Sequence, residues 1–159
     1  MKKIAKTNAA RLLDRLGMAY ELIAYEVDEN DLGAEHVAAQ LGEPLGQVYK
    51  TLVLSGDHTG HFVCVVPADR EVDLKKAAHA TGNKKCDLIP LRQLQPLTGY
   101  IRGGCSPLGM KKPLPTLFDS SCLQHSHIYV SAGLRGLQIK ASPANLVAAA
   151  NAQTTDLTS

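Results

Sequence analysis

The sequence predicts a single α+β domain spanning residues 1–159. Segments of helical and strand periodicity are interleaved without strict alternation, and no repeat, linker or low-complexity stretch divides them. Size supports the same reading. A chain of 159 residues, 45% of them hydrophobic, buries about two-thirds of the surface its unfolded form exposes, so it needs no staples.

The elements follow in order. Ala9, Leu12, Leu13 and Leu16 recur at i, i+3, i+4 and i+7, which predicts a helix with Thr7 as N-cap and Gly17 as left-handed stop. Residues 20–26 (YELIAYE) alternate briefly and carry aromatic and β-branched side chains, a strand pattern. Gly33 and Gly42 bracket a short helix with Val37, Ala38 and Leu41 inward. VYKTLVLSG and HFVCVVPA, joined by GDHTG, form the clearest hairpin in the chain. Asp73 caps the helix LKKAAHAT, which stops at Gly82, and KKCDLI follows as a strand. A short helical stretch lies within LRQLQPLTG, and YIRGGCSPLGMKKPLPTLF reads as a strand broken by a Gly- and Pro-rich loop. HIYVSAGLRGLQIKAS holds two more strands around a glycine turn. Ser142 and Pro143 then open a helix, ANLVAAANA, that finishes the fold. The count is about seven strands and four or five helices.

Composition excludes several functions. Seventeen Lys and Arg against 15 Asp and Glu leave +2, too balanced for a polybasic coat on nucleic acid but compatible with a local phosphate patch. Seven aromatics and no Trp argue against a stacking platform for single strands. Cys64, Cys86, Cys105 and Cys122 form no CxxC pair, which disfavours a secreted disulfide framework. MKKIAKTNAARLL has no apolar core of a signal peptide, and nowhere do eighteen apolar residues run together. A cytoplasmic, membrane-free protein is expected.

Two glycine loops stand out, GGCSPLG (residues 103–109) and SAGLRG (residues 131–136). Uncovered backbone N–H groups there could cradle a carbonyl or phosphate oxygen; the plainer alternative is a pair of tight turns. Pro107 stiffens the first loop and biases Ser106 to an extended backbone. Neither loop is a P-loop or GxGxxG, and Ser106 in GCSP is not a nucleophile elbow. Lys50 sits inside VYKTLVL, either solvated on an outer face or holding a phosphate, ribose oxygen or carboxylate at a pocket mouth. Strand alternation puts Thr51 on the opposite face, so the two share no side-chain site without a bend. Tyr25 could close a pocket or be an ordinary half-buried strand tyrosine. Cys105 reads as a small packed side chain rather than a nucleophile. Cys122, His125 and His127 form CxxHxH, but no second cluster has zinc spacing. No metal and no cofactor is expected.

Four motifs in order, YKTL (residues 49–52), DLKKAA (73–78), TGYIRGGCSPLGMKK (98–112) and YVSAGLRGL (129–137), resemble the YbaK/EbsC family of aminoacyl-tRNA deacylases. Those enzymes edit mischarged tRNA and are related to the editing domain of bacterial prolyl-tRNA synthetases; the similarity is greatest to the branch acting on Cys-tRNA(Pro). The resemblance implies a mixed, mostly antiparallel sheet, partly barrel-like, with surrounding helices. It implies that Lys50 anchors the 3′-terminal adenosine or its phosphate, with Thr51 nearby. Gly103 and Gly104 would present backbone groups to the ester carbonyl, and Ser106 and Pro107 would shape the loop. Ser131, Gly133 and Arg135 would form the opposite wall, Tyr25 would close the mouth, and Gln138 would line the substrate site.

The same resemblance implies a mechanism in which the substrate's own thiol attacks its ester. It also implies acylated tRNA as substrate and prolyl-tRNA synthetase as a partner. Lys75–Lys76, Lys84–Lys85 and Lys111–Lys112 are the candidate tRNA contacts, or simply solvated surface. The chain departs from the family at Cys105, where Ile is frequent, and at Ala132, Leu134 and Gln138, the last in place of an acidic residue. Alternatives are deacylation of Ala-tRNA(Pro) or Ser-tRNA, or a non-catalytic tRNA- or synthetase-binding module.

Overall fold

A computed structural model describes residues 6–159; the first five residues of the expected leader-free N-terminus lie outside the described ones. Among the described residues, five α-helices, α1 (Asn8–Arg15), α2 (Ala34–Leu41), α3 (Leu74–Thr81), α4 (Leu94–Thr98) and α5 (Pro143–Ala149), surround eight strands. One sheet has the order β1-β7-β6, from Glu21–Ala24, Leu137–Ala141 and Ile128–Leu134. The other has the order β4-β2-β3-β5-β8, from Cys86–Leu88, Tyr49–Gly56, Gly60–Pro67, Thr116–Asp119 and Gln153–Thr155. β5 runs parallel to β3 and to β8, and the other pairings are antiparallel. The mixed, mostly antiparallel α+β expectation therefore holds. The sheets meet at an isolated parallel bridge between Val48 and Tyr129, and the barrel stays open.

The caps act as their chemistry predicts. Thr7 accepts from the Ala10 N–H, Asp73 from the Lys75 and Lys76 N–H groups, and Ser142 from the Asn145 N–H ahead of Pro143. Gly42 and Gly82 end their helices in the left-handed conformation. In α1 the buried face is Ala9, Ala10 and Leu13, whereas Leu16 is the C-cap and half exposed. The helix ends before the fourth apolar position can turn inward.

β2 and β3 divide the core by strand alternation. Tyr49, Val53, Val63 and Val65 face a cluster shared with Leu13, Phe118, Val130 and Ile139, while Leu54, Phe62, Cys64 and Val66 face α3 and Leu157. Two expectations fail. Residues 100–102 form no strand: Gly104 N–H donates to the Ile101 carbonyl at 2.9 Å, which closes a turn and satisfies the backbone locally. The chain also does not finish at α5, because β8 adds to β5 in register Leu117↔Gln153. Buried Asp119 anchors this tail by accepting from the Leu157 N–H at 2.8 Å.

Candidate functional site

β2 pairs with β3 along its whole length, but on its other side it meets β4 only over residues 54–56 and β6 only at the Val48 bridge. Residues 49–53 border the gap that remains. Backbone groups alternate sides along an antiparallel strand. The Val48 carbonyl accepts from Ala68 beside β3, and the Val53 carbonyl accepts from Ile89 on the far side. The backbone N–H and C=O of Thr51, two residues from Val53, thus point into the gap.

A cavity of ≈ 530 Å³ fills it. Tyr25, Lys50, Thr51, Gly103, Ser131 and Gln138 all line it, so six of the expected site residues converge. Lys50 and Thr51 both line the cavity. The cavity occupies an open strand edge rather than one face, which the alternation rule does not foresee.

The polar end is marked by two unpartnered atoms. Thr51 Oγ1 and Gln138 Oε1 are buried with no hydrogen bond among the described residues, a state that costs free energy. Gln138 pairs with Ser131 across the β6–β7 ladder, which sets both on one face of that sheet. Lys50 is partly buried, its side chain 28% exposed, and its nearest acid is Glu71, 3.9 Å away and 90% exposed. So solvated a partner contributes little, and the ammonium is available to a ligand.

The other expected residues support the wall from behind. Gly104 does not line the cavity; a Cβ there would lie 3.1 Å from the Arg135 backbone nitrogen, and its own N–H is spent on Ile101. Of the glycine pair, Gly103 alone lines the cavity, at φ +83. Buried Ser106 accepts from the Leu108 N–H at 3.2 Å and so turns the loop with Pro107. Gly133 leaves room for the Tyr100 ring, which a Cβ would meet at 2.8 Å. Arg135 Nε donates to the Arg102 carbonyl at 2.8 Å, tying the β6–β7 turn to the glycine loop. Gly104, Ser106, Pro107, Gly133 and Arg135 are thus not among the residues that line the cavity.

Sequence reasoning missed Arg102 and the apolar side chains Leu88, Ile89, Leu91 and Leu94, all of which line the cavity. Arg102 stood inside the TGYIRGG motif, next to Gly103; the leucines carried no chemical signal. Cys105 also lines the cavity, and burial pushes its thiol up to about 12, which keeps it protonated and poorly nucleophilic. Among the described residues no three His, Cys, Asp or Glu side chains converge as a metal site, and no helix is long and apolar enough to cross a membrane. Lys76 is no free cation: its Nζ bonds Asp156 at 2.7 Å and the Thr158 carbonyl at 2.6 Å, holding the C-terminal tail.

The α+β domain thus presents, at an open strand edge, a largely apolar cavity with Lys50 and Arg102 in its wall. Residues 28–149 match the family model of the aminoacyl-tRNA editing domain, and the chain belongs to that family; aminoacyl-tRNA is its substrate class. It is 45% identical over 153 residues, 96% of this chain and 93% of the other, to a protein of Enterococcus faecalis named as the Cys-tRNA(Pro)/Cys-tRNA(Cys) deacylase EbsC. Among solved structures, one described as a trans-editing enzyme for prolyl tRNA synthetase is 25% identical with a TM-score of 0.84, over 96% of this chain and 95% of that one. The protein APE2540, 22% identical with a TM-score of 0.88 over 96% and 100% of the two chains, shares the fold.

Proposed function

We propose that this protein is a trans-editing hydrolase that deacylates Cys-tRNA(Pro), as one domain of residues 1–159 working in the cytoplasm. The observation that carries the reading is the composition of the cavity wall. Among the described residues it holds one ammonium, Lys50, and one guanidinium, Arg102, with no carboxylate and no imidazole. Its single cysteine is Cys105, whose thiol burial pushes up to about 12. A wall with neither base nor activated nucleophile suits a substrate that brings its own.

An aminoacyl ester is already activated, so positioning and stabilisation of the developing oxyanion supply the catalysis. The cysteinyl sulfur attacks the ester carbonyl and forms a C–S bond. The bond to the ribose oxygen breaks, and the thiol's proton ends on that oxygen. Free tRNA and a cyclic thiolactone leave, and water opens the thiolactone to cysteine. Gly103 and the Thr51 backbone edge offer donors to the carbonyl, Gln138 and Ser131 accept from the substrate amine, and Lys50 neutralises the nucleotide phosphate. Tyr25 borders the same cavity and covers the bound end. Near-neutral charge fits a protein that grips only the acylated end, so prolyl-tRNA synthetase is the partner that would supply tRNA selectivity.

The test is a panel of Cys-, S-methyl-Cys-, Ser- and Ala-tRNA(Pro) with purified protein. Cys-tRNA(Pro) is expected to be cleaved far faster than the others, since each of them lacks a free thiol. Equal cleavage of the S-methyl ester removes the thiol mechanism. Cys-tRNA(Pro) as stable as in buffer, with the protein folded, removes the activity.

A further inference from the structure

The polar end of the cavity is built from neutral groups. Gln138 and Ser131 lie opposite each other on the β6–β7 ladder, where facing Cβ atoms stand about 5 Å apart, so both can reach one small group. They are 5% and 9% exposed. Gln138 Oε1 has no partner among the described residues, and neither has the hydroxyl of Thr51, which borders the same cavity. Ser131 Oγ accepts from the Gly133 N–H at 3.1 Å, which leaves it one lone pair. The charged and titratable side chains lining the cavity are Tyr49 and Lys50 from β2, Tyr25 after β1, and Arg102 and Cys105 beside Gly103. Among the described residues no carboxylate lines it. Two residues along on the same sheet face, Tyr129 pairs with Lys140 and Lys140 with Glu21. There Glu43 accepts from the Tyr129 hydroxyl at 2.8 Å, with His127 4.0 Å away. Both acids stand outside the cavity wall, each facing a partner of its own.

We propose that this end of the cavity selects a substrate whose α-nitrogen is uncharged, so that the aminoacyl ester binds as the free-base amine and not as the ammonium. The inference rests on the editing reading above and deepens it, since it fixes the charge state in which the substrate is taken. A free-base amine has two N–H donors and one lone pair. Gln138 Oε1 and Ser131 Oγ accept the two N–H groups, and the Thr51 hydroxyl donates to the lone pair. An ammonium brings a third N–H and a full positive charge. It would leave water for a wall that holds no anion, a costly transfer for an unpaired charge. It would also share the cavity with Lys50 and Arg102, and like charges disfavour the charged form. Where a substrate phosphate neutralises Lys50, Arg102 still keeps that sign. An α-amino group ordinarily gives up its proton at about pH 7.7–8.0. Near neutrality the free base is therefore already present in water, and selecting it sacrifices little affinity.

Two non-hydrolysable probes separate the amine from everything else that titrates. One is 3′-amino-3′-deoxyadenosine acylated on its 3′ nitrogen with serine, which has an amine and no thiol. The other is acylated with 3-hydroxypropanoate and has no amine. Their dissociation constants are measured by calorimetry at about pH 6.5 and about pH 8.5. The ratio of the two removes the protein's own titrations, those of His127 and Glu43 included. For wild type the seryl probe is expected to weaken about tenfold relative to the hydroxypropanoyl probe between the higher and the lower pH, as the free-base fraction falls. A constant ratio, or one that moves the other way, overturns the inference, as does failure of both probes to bind. Gln138→Glu, with folding verified by thermal melting, sets a carboxylate at the amine and is expected to remove or reverse the trend. A folded variant that keeps the wild-type trend overturns the assignment to Gln138, and the wild-type comparison stands without the variant. Cys-tRNA(Pro) left intact by a protein whose probes follow the prediction upholds the charge selection and overturns the deacylase reading alone.

Discussion

Replacing Tyr100 by Phe tests how the glycine loop is held against the cavity. The Tyr100 hydroxyl donates to the Leu108 carbonyl at 2.6 Å across the base of the loop. Both residues are buried, at 8% and 1% exposure, and burial pushes the phenol up to about 12. Phe keeps the ring that fills the space left by Gly133 and removes only the oxygen. The Leu108 carbonyl is then a buried acceptor without its partner, which costs about 1–3 kcal/mol. For a chain of this length each kcal/mol is worth about 2–4 °C, so Tm should fall by roughly 2–12 °C. The loop also delivers Gly103 to the site, and displacement of a donor by a fraction of an ångström costs about tenfold or more in rate. Circular dichroism melting and Cys-tRNA(Pro) deacylation at a temperature where both proteins are folded measure the two effects. A melting point within about 1 °C of wild type, with turnover intact, would show that the loop is held by packing alone.

Thr51→Val should separate stability from function. It removes a buried hydroxyl that has no partner, so melting should be unchanged or raised, by about 1 kcal/mol in stability at most, while deacylation falls. A variant that is both less stable and fully active contradicts that assignment. Lys50→Met should lower kcat/KM by about a hundredfold without loss of folding, because among the described residues the only ion pair it breaks is to exposed Glu71. Wild-type rates from this variant would place Lys50 outside the reaction. Cys105→Ala should retain turnover, since burial already holds that thiol protonated; inactivation that is not explained by unfolding refutes the substrate-thiol route.

Alkaline pH should unfold the protein. Burial pushes Tyr49, Tyr100, Cys64 and Cys105 each up to about 12, from ordinary values of 10.0 for tyrosine and 9.0 for cysteine. Their folded values lie above their unfolded ones, so the folded state binds more protons and stability falls as pH rises. The contribution is complete below about pH 9 and lost progressively towards pH 12. Under reducing conditions Tm should hold to about pH 9 and then drop steadily; a flat profile to pH 11 refutes the burial argument.

Local chemistry was readable in the sequence. Thr7, Asp73 and Ser142 cap their helices because a short oxygen-bearing side chain before an apolar run has one favourable bonding pattern. The β2–β3 hairpin follows from two β-rich runs around a glycine turn. The four motifs also indicated the family, and with it which side chains to expect around a pocket. Residues that lie behind the cavity wall were harder to place. Arg135 and Gly104 belong to motifs that contain wall residues too, and motif membership does not distinguish touching the ligand from holding the loop.

The sequence by itself determined the helices, the hairpin, the absence of a polybasic surface and the residue set from which a site is built. Those properties depend on neighbours a few positions apart and on composition, which are present in the chain before it folds. Tertiary structure decided where β2 lacks a partner. Pairing with β4 stops at residue 54 and pairing with β6 is a single bridge at Val48, so an edge stays open between them, formed by segments distant in sequence. That gap brings Lys50 and Thr51 to one cavity despite strand alternation, and turns the unremarkable leucines after β4 into part of its wall. Strand periodicity tells which face a side chain takes; only the assembled sheet tells which edge has no neighbour.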